Sequence, residues 1–344
     1  MPSTTSWLGT AELGDPGRQG SARQRAARSG LILIISSERD EHAGAVATQL
    51  TGLGVEHHLL DLGQFPETIG LVLRYGNDAS PVALLRDVGG ADLDLARVRA
   101  VWYRRPQPFG IPSSVSRPSH RTFAYNESHE AIAGLWQMLD VFWMNHPTRD
   151  EVAARKAYQL GVARASGLEI PPTLISNDPA EVRRFLAERG SKDTIYKAFS
   201  ATQQEWRETR LVRDEELAVL DQVRHAPVIF QEYVPARFDL RITVVGDRIF
   251  AAAIHSQDTE YQVDFRIDMN RAKVEAHDLP TKVATGLAEF MRRLGLVYGA
   301  IDMRLTPDGR YVFLEVNPAG QWLFIEGRTG QPITATVAQT LAGR

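Results

Sequence analysis

The chain has 344 residues, 43% hydrophobic and 24% charged, with a formal charge of −3 and no cysteine. That length exceeds what one hydrophobic core usually serves, so two or three domains are expected. The charge supplies no basic field for nucleic acid, and the lack of cysteine excludes disulfides, thiolate metal sites and a cysteine nucleophile. No apolar run approaches the roughly 20 residues that cross a bilayer, and the N-terminus lacks the apolar stretch of a secretory signal. A cytoplasmic protein with neither a nucleic-acid nor a membrane partner is expected.

Residues 1–29 are rich in Gly, Ser, Arg and Ala without an apolar period, which predicts a disordered extension. "LILIISSERDEHAGAVATQLTGLG" predicts a strand, a helix from about Asp40 and a stop at Gly54, with "VEHHLLDL" as a second strand. This opens a βαβ unit. Its first turn, "SSERDEHAG", lacks the G-x-G-x-x-G that lets a Rossmann half approach phosphates. A domain over residues 30–125 is therefore expected to be doubly wound without holding the nucleotide. Val98–Tyr103 reads as a strand leading into Arg104 and Arg105. As neighbours these two face opposite ways, so one is expected to be buried and paired in a packing role. Helices follow from about Glu127 to Asp140, and from near Thr148 to a stop at Gly167.

"IPPTLISNDPAEVRRFLAERG" predicts a strand and then a helix capped by Asn177 or Asp178, with Pro179 at its first position. "DTIYKAF" and "APVIFQEYV" read as strands, and "DLRITVVGDRIFAAAIH" as a hairpin turning at Gly246 and Asp247. A helix from Thr281 to about Leu294 stops at Gly295, and "VYGAIDMRLTPDGRYVFLEVNP" forms a second hairpin. The fold class is α/β followed by α+β, with domains assigned to residues 126–230 and 231–344.

In "FLEVNPAGQW", Glu315 and Asn317 stand two apart on a strand and so share a face. An even-residue turn at "TPDG" would bring Asp302 opposite them, whereas a bulge at Gly309 would shift that register. Three hard oxygen donors suit Mg²⁺, with water and phosphate oxygens completing the shell. Alone, they also fit a solvated strand end. Lys197, bracketed by Ile195, Tyr196, Ala198 and Phe199, needs an anion if buried. Lys156 lies on a helix, where snorkelling at the surface is the ordinary explanation. Glu232 ends an apolar strand, and Asp239 and Arg241 share a face of the next, as a cross-strand ion pair would. Trp322 and Phe324 fit either packing or a pocket wall.

The order of these pieces resembles the ATP-grasp superfamily. The stretches "VWYRRP", "NHP", "FQEYVP", "DLRITVVGDRIFAAAIHSQ", "VDFR", "GLVYGAIDMRLTPDGRYVFLEVNPAGQW" and "TGQPI" resemble its microviridin-type graspetide synthetases, maturases of ribosomally made peptides. The resemblance implies an ATP-grasp fold behind a pre-ATP-grasp domain. It also implies an ADP-forming ligase that activates side-chain carboxylates of a precursor peptide, with leader and core, as acyl phosphates. Ser, Thr or Lys side chains of that peptide then close ω-ester or ω-amide rings. By this resemblance Lys156 and Lys197 hold the ATP phosphates, Glu232 and the Val234 backbone read adenine, and Asp239 lies toward the ribose. Asp302, Glu315 and Asn317 hold two Mg²⁺, and Arg241 and Arg266 hold the carboxylate or the oxyanion. A homodimer is compatible with the family. The chain departs from many ATP-grasp proteins after Lys197, where "SATQQEWRETRLV" contains no glycine; closure over the phosphates through the backbone and Ser200 or Thr202 is expected. A glutamyl or amino-acid ligase on the same scaffold, and a non-catalytic peptide-binding relative, are the competing readings.

Overall fold

The computed structural model describes residues 30–77, 82–199, 209–258 and 272–344. It divides into two compact units, one running to Met144 and including Ala338–Arg344, the other Asn145–Val337. Arg266, Ser200 and Thr202 lie outside the described residues, as does the extension over residues 1–29.

In the first unit the elements are β1 (Leu31–Ile35), α1 (Glu41–Gly52), β2 (His57–Leu60), β3 (Ile69–Arg74), β4 (Val82–Asp87), β5 (Asp92–Asp94), β6 (Val98–Tyr103), α2 (Pro118–Met138) and β7 (Phe142–Met144). A parallel sheet runs in the order β2-β1-β6-β7, and β3-β4-β5 form a small antiparallel sheet. Leu33, Ile35, Val101, Leu135 and Trp136 centre the core. The expected domain boundary at residue 125 falls inside α2, and β7 still pairs in this sheet. Helix α2 starts at Pro118, nine residues before the expected Glu127; proline is preorganised for that first position.

Strand order reverses between β1 and β6, where doubly wound sheets usually bind ligands. Here protein groups occupy the crevice. Asp40 caps α1 at the His42 N–H, accepts from Ser36 Oγ at 2.8 Å, and lies 3.3 Å from Arg104 Nε. Burial opposes the Asp40 charge, but the hydrogen bonds from His42 and Ser36 and the Arg104 charge hold its pKa well below the usual carboxylate range. Arg104 is buried and Arg105 exposed, as their adjacency requires.

The second unit contains α3 (Pro147–Ala153), α4 (Lys156–Ala165), β8 (Thr173–Ser176), α5 (Pro179–Arg189), β9 (Thr194–Lys197), β10 (Arg210–Leu211), α6 (Asp214–Ala218), β11 (Val228–Glu232), β12 (Phe238–Val245), β13 (Arg248–Ile254), β14 (Val274–Ala276), α7 (Thr281–Leu294), β15 (Tyr298–Leu305), β16 (Tyr311–Asn317) and α8 (Leu323–Thr329). Helix α9 (Ile333–Ala342) begins within it. The strands form two antiparallel sheets, β10-β9-β11-β8 and β14-β13-β12-β15-β16. Leu287, Phe290, Met291 and Leu294 of α7 cover one face of the larger sheet, packing with Leu240, Ile242, Ile301, Phe313 and Val316. By alternation, Asp239, Arg241 and Thr243 occupy the other face of β12. Among the described residues no helix is long and apolar enough to cross a membrane.

The single helix expected from Thr148 to Gly167 is two helices, broken at Ala154 and Arg155, so Lys156 begins the second. Neither glycine nor proline marks the break.

The Asp150 carboxyl lies in α3 with Oδ1 buried and without a hydrogen-bond partner. Burial pushes its pKa up from 3.8 to about 7, against a hydrogen bond with Asn145. The folded state therefore binds this proton more tightly than the unfolded chain. The stability it contributes is complete below the unfolded pKa and is lost as pH rises through the folded one. The loss is on the order of 2–4 kcal/mol. We expect Asp150→Asn to gain stability relative to the parent as pH rises from about 4 to about 8. Chemical unfolding at several pH values checks this; parallel curves for the two proteins would refute it.

Candidate active site

The metal-ligand candidates come together through a bulge that the sequence does not announce. Leu305 pairs with Tyr311, Arg304 with Val312 and Met303 with Phe313. Continued unbroken, that register would set Asp302 against Leu314 and turn Glu315 to the core side. A register shift between Asp302 and Met303 instead pairs Asp302 with Glu315 and Ala300 with Asn317. Leu314 is thus the extra residue. The turn between Leu305 and Tyr311 is odd, not even as expected, and the irregularity sits at Leu314 rather than Gly309. Asp302, Glu315 and Asn317 share one face as a result. Bulges next to active sites commonly re-aim a side chain in this way.

Two buried ion pairs underlie that face. Arg241 lies directly across from Asp302 and Asp239 from Arg304. Arg241 Nη1 meets Asp302 Oδ1 at 2.8 Å, and Arg304 Nε meets Asp239 Oδ1 at 2.8 Å. Burial opposes the charge on Arg241, but Asp302 outweighs it and holds the guanidinium above its ordinary pKa. Arg241 Nη2 also donates to the Gln321 carbonyl at 3.1 Å. Gly320 completes this packing: a Cβ there would lie 2.3 Å from Ala300 Cβ and 2.7 Å from Arg241 Nη2.

Asp239 does not fit its expected place at the ribose. It is 1% exposed, one carboxylate oxygen takes Arg304 and the other accepts from the Ser256 hydroxyl. Arg241, 7% exposed, reaches the ligand face through Asp302. Both positions follow from their sharing the buried face of a central strand. Trp322 is fully buried and donates to Thr334 Oγ1 at 2.9 Å, so it packs rather than lines a pocket.

Lys156 Nζ lies 3.2 Å from Glu315 Oε2, both side chains being about a quarter exposed. A cation in the first turn of a helix opposes the helix dipole, so its placement there is answered by Glu315. Lys197 belongs to the smaller sheet and donates to Gln231 Oε1 at 3.2 Å. Gln231 Nε2 donates in turn to Thr173 Oγ1 at 2.7 Å, and that hydroxyl donates to the Pro171 carbonyl at 2.8 Å. The backbone carbonyl sets the polarity of this chain of bonds, so the Gln231 amide presents its oxygen to the ammonium. Glu232 is partly exposed, with Arg189 Nη1 3.3 Å from Oε2, and the Val234 carbonyl accepts from Arg304 at 2.7 Å. His255 pairs with Glu275 at 2.8 Å.

Gln159, Gln231 and Gly320 carry no signal of their own in a single sequence; only the pairing of strands and helices reveals them. The donor set fits a hard divalent cation: two carboxylates and a carboxamide on one face, with a lysine beside them. Among the described residues no group of three His, Cys, Asp or Glu side chains gathers.

Residues 31–151 match the family model of the MvdD pre-ATP grasp domain, and residues 153–341 that of the RimK-like ATP-grasp domain. The macrocyclase MdnC of Microcystis aeruginosa MRC, in a crystal structure with its precursor peptide MdnA, is 32% identical to this chain. The match covers 91% of this chain and 99% of that one, with a TM-score of 0.81. The chain belongs to the macrocyclase branch of the ATP-grasp ligases. Two further ATP-grasp ligases share the fold at 26% identity, each over 91% of this chain. One is a RiPP-associated ligase of Chryseobacterium gregarium in complex with ADP and a leader and core peptide, covered over 96% of its length with a TM-score of 0.84. The other is PsnB complexed with minimal precursor, Mg and ADP, covered over 97% with a TM-score of 0.73. No curated protein sequence matches the chain. As an ATP-grasp ligase it is an ATP-dependent enzyme, and its oxygen-donor face lies wholly within the matched RimK-like domain.

Proposed function

We propose that this ligase uses ATP and Mg²⁺ to activate side-chain carboxylates of a ribosomal precursor peptide, and that it closes ω-ester or ω-amide rings within that peptide. The carrying observation is the convergence of Asp302, Glu315 and Asn317 on one sheet face beside Lys156. The similarity to a macrocyclase solved with its precursor peptide supports the choice of substrate.

The peptide carboxylate accepts the terminal phosphoryl group of ATP, giving an acyl phosphate and ADP. A Ser or Thr hydroxyl, or a Lys amine, of the same peptide then displaces inorganic phosphate. The hydroxyl or ammonium proton leaves to solvent. Two anions have to meet in the first step, and their repulsion is strong at low dielectric. Lys156 and Lys197 hold the phosphates, while Asp302, Glu315 and Asn317 hold Mg²⁺, for which we favour two ions. Bound there, the metal neutralises phosphate charge and clamps the transferring group. Glu232 and the Val234 N–H face adenine; the Val234 carbonyl is taken by Arg304. Arg241 orients Asp302 and, by the resemblance, serves the carboxylate or the oxyanion. Arg266 is assigned to the peptide carboxylate by the resemblance alone. The need for ATP favours the cytoplasm, and a homodimer is compatible with the family.

Mass spectrometry of the linear precursor incubated with enzyme, ATP and Mg²⁺ tests this reading. The expected product has lost one water per ring. An added amino-acid residue would point instead to a glutamyl or amino-acid ligase, and an unchanged mass to a binding relative.

A further inference from the structure

The strand that carries Glu315 and Asn317 lies at the edge of its sheet, beyond β15; among the described residues its outer side carries no further strand, but Glu169 bridges to Val312 and its carbonyl accepts from the Phe313 N–H at 2.8 Å. An edge strand is paired along one side only, so part of its backbone needs partners from outside the sheet. This one also contains the bulge at Leu314, so a slip by one residue would restore regular pairing and turn Glu315 away from Asp302. Burial of Val316 in the core favours the shifted register from the inner face, and the backbone on the strand's outer side needs its own partner.

We infer that Gln159 is a positioning residue that locks the metal-ligand strand in its shifted register. Gln159 Oε1 accepts from the Val316 N–H at 3.1 Å, and Nε2 donates to the Val316 carbonyl at 3.0 Å. A carboxamide has the donor and acceptor of a peptide group, so it pairs with Val316 as a one-residue strand would. Nε2 donates as well to the Ala153 carbonyl at 2.7 Å, which the break between α3 and α4 leaves free. Two carbonyls and one N–H leave the amide a single workable orientation, since a flip would set oxygen against two oxygens. The side chain is 3% exposed, so water does not substitute for these bonds.

Val316 lies between Glu315 and Asn317. Lys156, one turn before Gln159 on α4, meets Glu315. The helix therefore grips the strand at its backbone and at its carboxylate. The inference rests on the metal-site reading of Asp302, Glu315 and Asn317.

The test compares the parent with Gln159→Met, close in length but without an amide, and with Gln159→Glu. Mn²⁺ binding is followed by electron paramagnetic resonance with a non-hydrolysable ATP analogue, and precursor-peptide binding by fluorescence anisotropy. Gln159→Met is expected to weaken Mn²⁺ binding by about tenfold or more, with peptide affinity changed less than about twofold; 1.4 kcal/mol corresponds to such a tenfold change. Gln159→Glu keeps the acceptor for Val316 but lacks the donors while ionised. Its Mn²⁺ affinity, taken relative to the parent at each pH, should recover as pH falls, because burial raises a carboxyl pKa and the carboxyl proton replaces one donor. A folded Gln159→Met with the parent's Mn²⁺ affinity overturns the inference. If Gln159→Met does not fold, a Gln159→Glu ratio that stays flat with pH overturns it instead. A parent that binds no Mn²⁺ beside the nucleotide would overturn the metal-site reading itself, a distinct outcome.

Discussion

Glu315→Gln is expected to lose nearly all peptide-dependent ADP formation while still binding the precursor peptide. The substitution removes one of two carboxylates from the ligand face and keeps the shape of the side chain. Metal stabilisation of developing charge is worth several kcal/mol, so a fall of about 10²-fold or more is expected. Stability should change little. The Lys156–Glu315 pair is about a quarter exposed on each side, and such pairs contribute on the order of 1 kcal/mol or less. ADP release with and without peptide measures the first effect and anisotropy the second. A variant within tenfold of the parent would remove Glu315 from the metal site.

Arg241→Met should be the most damaging change to the second unit. The Asp302 carboxylate would stay buried at 11% side-chain exposure without its cation. Leaving one partner of a buried pair uncompensated typically destabilises by about 3–5 kcal/mol. Lysine is not a conservative replacement, because one ammonium cannot serve Asp302 and the Gln321 carbonyl with the geometry of a guanidinium. Arg241→Met with Asp302→Asn should recover much of the lost stability, since the stranded charge is gone, yet regain no ligase activity. Thermal unfolding of the three variants reads this out. An Arg241→Met protein as stable as the parent would mean that the pair does not organise the sheet.

The fold was legible where local chemistry and tertiary packing agree. Helix α7 starts and stops as its Thr281 and Gly295 boundaries suggest, and the two-residue turn at Gly246 and Asp247 joins β12 to β13 as read. Asp178 caps α5 with Pro179 following, both local signals. The chain was illegible where long-range pairing decides. The break between α3 and α4 has no local breaker; it is bridged by the Gln159 amide, which belongs to the next helix. The neighbourhood of Glu315 and Asp302 was anticipated, but by an even turn, whereas a bulge achieves it. Asp239 and Arg241 were read as sharing a face, as a cross-strand ion pair would and, by the resemblance, as site residues, and that face is the seat of two buried ion pairs. Their depth follows from β12 being covered on both sides, which alternation along one strand does not reveal.

The extra residue at Leu314 divides β16 into two halves of opposite phase. Tyr311–Phe313 keep step with the hairpin turn, while Glu315–Asn317 keep step with Asp302 and Ala300. Excising Leu314 would leave both pairings intact and remove only the local kink. A chain shortened by that one residue should still present Glu315 across from Asp302, with one unbroken register running from the turn to the ligand face.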